Sequence, residues 1–308
     1  MSLAIECKGL QKIYRSGFFR IPFVGLKSLD LQVEKGEIFG FIGPNGAGKT
    51  TAMKTLMGLQ KATAGEAFIL GVDHRDPESK RKVGFLPERP YFYQYLTAFE
   101  FLDFYGTLFE LPKELRHDRI HTLLERVQLT RFADVPLRTF SKGMLQRAGV
   151  AQALINDPEL VVMDEPMSGL DPMGRALIRD ILFEERENGR TVFFSSHILA
   201  DVEAICDRVA ILLGGELHGC GTVDELVGSQ THHVDIVFEG ECPDGLKAHR
   251  RQQLRVSPDE VDAALDALRA AACSIVRVTP VRMHLEEVFV DAAARQNKVD
   301  AKRLGVLA

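Results

Sequence analysis

The chain has 308 residues, 45% of them hydrophobic and 26% charged, with a formal net charge of −5. That composition is ordinary for a globular protein and long enough for one large domain or a medium one with a smaller companion. It argues against a strong basic field for nucleic acid, and no apolar run approaches the roughly 18 residues of a membrane-spanning helix. Met1 to Lys8 lacks the basic start and apolar core of a signal peptide. The five cysteines are scattered, without Cys-x-x-Cys spacing, and suggest neither a disulfide framework nor a zinc site. A cytosolic chain is expected.

Short apolar runs alternate with helical stretches, so the expected fold class is α/β. Arg15 to Val24 reads as a connection longer and more apolar than usual. Phe39–Ile42 predicts a buried strand, with a helix over Thr50–Leu59 directly behind it. From Arg89 to Thr139 the spacing turns helical, as in Phe101, Leu102, Tyr105 and Leu108, which predicts a mainly helical insert over about 89–140. Within it, Pro90–Leu96 holds four aromatics in seven residues. Leu160–Met163, Thr191–Ser195 and Val209–Leu213 predict three more buried strands. A second unit, over 231–308, begins where Val234, Ile236 and Phe238 alternate with other residues. There, Ser257-Pro258-Asp259-Glu260 predicts a capped helix start, Ile275–Val278 a strand, and Leu285–Ala294 a last helix. His232-His233 is no metal pair, because adjacent strand residues point to opposite faces.

Chemistry concentrates in two places. Gly43-Pro44-Asn45-Gly46-Ala47-Gly48-Lys49-Thr50 fits G-x-x-x-x-G-K-[ST] between a strand and a helix. Its glycines let backbone N–H groups turn toward an anion, and the helix start adds partial positive charge. Lys49 is expected at the β- and γ-phosphates of a nucleotide, and the Thr50 hydroxyl on Mg²⁺. Asp164 ends an apolar strand, where a Mg²⁺-holding acid belongs, and the adjacent Glu165 is the candidate to deprotonate an attacking water.

Further along come Phe140-Ser141-Lys142-Gly143-Met144 followed by Gln146-Arg147, then Ser168-Gly169-Leu170-Asp171, then His197 after Ser195-Ser196. In this order, and with Tyr14 upstream, these motifs resemble the nucleotide-binding subunit of an ATP-binding cassette (ABC) transporter over roughly residues 1–227. The resemblance implies a P-loop ATPase core with the helical insert and a small C-terminal α+β appendage. It implies ATP held by Gly43 to Thr51, Mg²⁺ held by Thr50 and Asp164, adenine stacked on Tyr14, and His197 at the γ-phosphate. It also implies a homodimer that sandwiches two ATP molecules, with Ser141, Gly143 and the Asp171 loop serving the opposite subunit's nucleotide. Lys142 and Met144 stand where the commonest signature has Gly and Gln. Glu88 follows Val83-Gly84-Phe85-Leu86-Pro87, where glutamine is usual, and cannot donate an amide hydrogen bond to a ligand.

Those variants, and the closing Met283–Phe289 motif, resemble the exporter branch whose ATPase serves a separate membrane subunit. The resemblance therefore implies a peripheral position on the inner face of the cell membrane. In that setting Arg15–Val24 is either a loop folded back into the core or a surface facing the membrane subunit or lipid headgroups. The alternative function is a soluble ABC ATPase acting on a nucleic-acid or translation partner. Such proteins carry tandem cassettes or long coiled-coil inserts, and this chain has one phosphate loop and no sustained heptads.

Overall fold

Two long strands, β1 (Leu3–Ser16) and β2 (Ile21–Glu34), pair antiparallel at the start of the chain. The computed structural model describes residues 2–16, 21–227, 231–241, 248–250, 252–282, 285–287 and 289. Residues 15–24, expected as a connection, are largely the paired ends of these strands, with Tyr14 opposite Phe23 and Arg15 opposite Pro22; 17–20 lie outside the described residues. Phe23 is 62% exposed and does not fold back into the core. Register shifts after Cys7 and Leu10 break the two-residue period that would have announced the hairpin.

The buried strand β3 (Ile38–Ile42) leads through the phosphate loop into α1 (Lys49–Leu56). Next come β4 (Ala64–Ile69), β5 (Val72–Asp73) and β6 (Val83–Leu86). The insert follows as α2 (Ala98–Leu108) and α3 (Lys113–Arg126), leading into α4 (Lys142–Leu154). Thr97 and Glu100 form a capping box that fixes the start of α2. The chain returns through β7 (Leu160–Asp164), α5 (Pro172–Glu187), β8 (Thr191–Ser196) and α6 (Leu199–Ile205). It then forms β9 (Arg208–Leu213), β10 (Glu216–Thr222) and α7 (Val223–Val227).

The ten strands order as β5-β4-β1-β2-β10-β9-β3-β8-β7-β6. From β9 to β6 neighbours run parallel, and these strands read as continuous apolar runs because helices cover both faces. The antiparallel part, β5 to β2, joins β10 through the single pair Ser28–Glu216. Helix α1 contacts β1, β2 and β4 from one part and β7 from the other. Its Ala52, Met53 and Leu56 share a core with Ile5, Leu29, Phe41, Leu160 and Phe193.

Backbone meets backbone where β6 passes α4: a β-carbon built on Gly84 would lie 1.7 Å from the Ala153 carbonyl oxygen. A charged seam joins the insert to α5. Glu185, 0% exposed, accepts from Arg126 of α3 at 2.7 Å and from Arg190, and Arg126 also reaches Glu184 at 2.8 Å. Beside the insert runs an apolar groove of about 330 Å³, lined by Met57, Leu59, Phe85, Tyr91, Phe101 and Phe109. Tyr91 and Tyr95 are 81% and 72% exposed, so these two rings are not core of the insert.

The chain folds as two compact units, one holding Met1–Val223 and the other Asp224–Asp291. The second unit is a four-stranded sheet ordered β12 (Ala248–Arg250), β13 (Gln253–Val256), β11 (Thr231–Glu239), β14 (Ser274–Arg282). Its helix α8 (Val261–Ala270) packs Ala264 and Leu268 against Val234, Ile236, Phe238 and Leu254. Ser257 and Glu260 cap the short turn that precedes α8. Of the predicted last helix, Leu285–Glu287 and Phe289 are helical and the remainder lies outside the described residues.

Candidate active site

The phosphate loop leaves β3 at Gly43 and enters α1 at Lys49. Gly48 carries φ 106°, and a β-carbon there would sit 2.4 Å from the Gly25 carbonyl oxygen, so only glycine fits. Helix α1 has no side-chain cap, which leaves its first N–H groups to an anion. The loop from Pro44 to Thr51 lines a cavity of about 420 Å³ together with Phe23, Glu88, Glu165, Ser168 and His197. Lys49, 6% exposed, donates to the Gly43 carbonyl at 2.6 Å, and its Nζ stands 3.6 Å from Glu165 Oε1.

The acids arrive from the end of β7. Asp164 is 1% exposed, and Oγ of Ser195, its partner on β8, donates to Asp164 Oδ1 at 2.6 Å. Glu165, 9% exposed, has a left-handed backbone with φ 57°. Its N–H donates to Ser195 Oγ at 3.0 Å, and its Oε2 lies 2.7 Å from His197 Nδ1. Gln146 of α4 donates to the carbonyls of Glu165 at 3.3 Å and Pro166 at 3.0 Å. Thus Lys49, Glu165 and His197 converge on the cavity, with Asp164 directly behind. In the sequence Gln146 stands out only within its motif and Ser195 only as a neighbour of His197; no local pattern announces their contacts.

Other expected residues fall elsewhere. The Tyr14 hydroxyl donates to Gln60 Oε1 at 2.6 Å, Lys12 Nζ lies 5.1 Å from its ring centre, and a β-carbon at Gly25 would come 2.6 Å from the ring. The aromatic that lines the cavity is Phe23, its ring centre 6.3 Å from that of Tyr14. Ser141 and Asp171 are N-caps, accepting from the N–H groups of Met144 at 3.2 Å and Gly174 at 2.7 Å. Ser141, Gly143 and Asp171 do not line the cavity of their own chain.

Among the described residues no group of three or more His, Cys, Asp or Glu could hold a metal. Thr50, Asp164 and Glu88 offer hard oxygen donors instead. That set suits Mg²⁺, which is held by one or two carboxylates and fills most of its shell with phosphate and water.

The family model described as ABC transporter matches residues 26–168. An uncharacterized ABC transporter ATP-binding protein of Synechocystis is 45% identical, covering 93% of this chain and 83% of its own. The chain belongs to the ATP-binding proteins of ABC transporters. Another relative of this ATPase is the Nod factor export ATP-binding protein I of Cupriavidus pinatubonensis, 36% identical over 73% of this chain and 70% of that one. A solved ATP-binding subunit of an ABC transporter superposes with TM-score 0.66 and 31% identity over 72% of this chain and 91% of the other. So does a dimeric ATP-binding cassette in a post-hydrolysis state with ADP and Pi, at TM-score 0.66, 27% identity, 71% and 98% coverage. The protein is thus the ATP-hydrolysing subunit of a transporter. Among its described residues no helix is long and apolar enough to cross a membrane.

Proposed function

We propose that this ATPase powers export through a separate membrane subunit, working as a homodimer on the cytoplasmic face of the membrane. The observation that carries the reading is the convergence of Lys49, Glu165 and His197 on the phosphate-loop cavity. In this reading the loop Gly43–Thr51 holds the triphosphate, and Lys49 leaves Gly43 for the β- and γ-phosphates. Glu165 accepts the proton of the attacking water, and His197 orients Glu165 while facing the γ-phosphate. Thr50 and Asp164, with Glu88 at the rim, would hold Mg²⁺, whose charge neutralises the phosphate oxygens. The base packs on the aromatic wall of Phe23, backed by Tyr14.

Ser141 and Gly143 open α4, and Asp171 opens α5, away from their own chain's cavity. They would meet the nucleotide of the second subunit, an arrangement in keeping with the dimeric cassette among the solved relatives. The export direction draws on the Nod factor export relative. Residues 1–227 would form the ATPase domain and 231–308 an accessory domain. The groove beside Tyr91 would receive a short helix of the membrane subunit, with its aromatic side chains as anchors.

The test mixes two inactive variants, Lys49→Ala and Ser141→Arg. A heterodimer then carries one intact composite site of its two, and ATPase should recover toward half the wild-type rate per dimer, counted on the heterodimers alone. No recovery, in a mixture whose subunits cross-linking shows to have exchanged, would sink the shared-site reading.

A further inference from the structure

Glu165 presents a physical puzzle. It is the residue assigned to the attacking water, yet its backbone sits at φ 57°, a region costly for any residue with a β-carbon. Such a conformation persists only where the surroundings over-determine it. Here they do so from both sides of the residue. On the N-terminal side, Ser195 Oγ accepts a hydrogen bond from the Glu165 N–H at 3.0 Å and donates its own O–H to Asp164 Oδ1 at 2.6 Å. One fully buried hydroxyl therefore fixes both neighbouring acids, and the Asp164–Ser195 register of β7 and β8 fixes the hydroxyl. On the C-terminal side, the Gln146 amide, 7% exposed, donates to the carbonyls of Glu165 and Pro166.

We infer that Ser195 and Gln146 are positioning residues that clasp the Glu165 backbone and aim its carboxylate between Lys49 and His197. The inference rests on Glu165 being the base. It adds a link that roles read motif by motif do not contain. Gln146 projects from α4, the helix that Ser141 opens, so the aim of the carboxylate depends on where that helix lies. A displacement of α4 withdraws a donor from the Glu165 carbonyl, and the strained backbone is then free to relax away from the cavity. Hydrolysis in one subunit is thereby tied to the placement of its own signature helix.

Gln146→Met keeps length and bulk but donates nothing, and Ser195→Ala removes a single oxygen. Each should lower kcat about tenfold to a hundredfold while KM and the ATP dissociation constant stay within about twofold. Ser195→Thr, which keeps the hydroxyl, should restore most of the rate. In a Glu165→Gln background neither change should lower the residual rate further, because the group they aim is gone. Wild-type kcat in both variants, or losses that multiply in the Glu165→Gln background, would overturn the clasp. Undiminished turnover in Glu165→Gln alone would overturn the base assignment and the clasp with it. Thermal melting of each variant, with rates expressed per folded molecule, separates lost aim from lost fold.

Discussion

Two glutamates in one unit show what a buried charge can be for. Glu165 and Glu185 are both nearly or wholly out of solvent, and both face two basic side chains. Glu185 is saturated: Arg126 and Arg190 take its oxygens, and the seam they build joins the insert to α5. Glu165 is held by its backbone instead, while its carboxylate points into open volume beside a phosphate loop. Full pairing makes a charge part of the scaffold. Partial pairing, with the peptide on either side pinned, leaves a charge that can take a proton. The difference lies in what surrounds the groups, since the residue type is the same.

The largest expected effect breaks the glutamate proposed as the base. Glu165→Gln keeps shape and removes the base, so turnover should fall by at least about a hundredfold. Its melting temperature should not fall, and ATP binding should survive; a steady-state assay with a calorimetric titration reads both. Glu185→Ala should do the reverse. It removes the buried carboxylate shared by Arg126 and Arg190, which keep Glu184 and Asp157 as partners, so urea unfolding should show a loss of about 1.5–3 kcal/mol, with turnover per folded molecule unchanged. Loss of turnover at full stability in that variant would erase the distinction between the two glutamates.

A smaller effect separates the two aromatics by the same logic of tied against available groups. Tyr14 is hydrogen-bonded to Gln60, whereas Phe23 is exposed on the cavity wall. Stacking on a base is worth about 1–3 kcal/mol, so Phe23→Ala should weaken ATP binding by about fivefold to 150-fold. Because the chain contains no tryptophan, Phe23→Trp installs a single reporter whose emission should drop on nucleotide binding. Unchanged emission at saturating ATP would remove Phe23 from the site.

The smallest effect concerns a buried histidine whose charged form is disfavoured by its surroundings. Burial holds the His74 pKa below its usual value, against the raising contact of its ring with the Ala67 carbonyl. The folded protein therefore resists protonation there, and this contribution to stability is present above about pH 6.5 and fades as pH falls. Urea midpoints at pH 7.5 and 5.5 should differ less in His74→Gln than in the wild type.

What can be read in advance follows the range of the forces involved. The phosphate loop, the strand that ends at Asp164 and the capped helix starts are local, each written in fewer than about ten adjacent residues. The opening hairpin is hidden because bulges at Cys7–Leu10 and Leu10–Lys12 break its alternation, and Pro22 and Gly25 look like loop residues. Ser195 and Gln146 are hidden for another reason. Their value arises only when β8 and α4 are brought against one dipeptide, and nothing beside either residue in the sequence encodes that meeting. The strand expected over Thr191–Ser195 forms as Thr191–Ser196, yet the register partner that gives Ser195 its role, Asp164, lies 31 residues away in the chain.

The contact between Gly84 and Ala153 has a mechanical consequence. With no side chain between them, strand and helix bear directly on each other, so any side chain at position 84 would push the C-terminal end of α4 away from β6. Ser141 lies about 18 Å along the helix from there, at about 1.5 Å rise per residue. A tilt of about 5° at the bearing would swing the signature end by roughly 1.5 Å, half the length of a hydrogen bond. A side chain added at position 84 would thus be felt at Ser141, at the far end of α4 from Ala153.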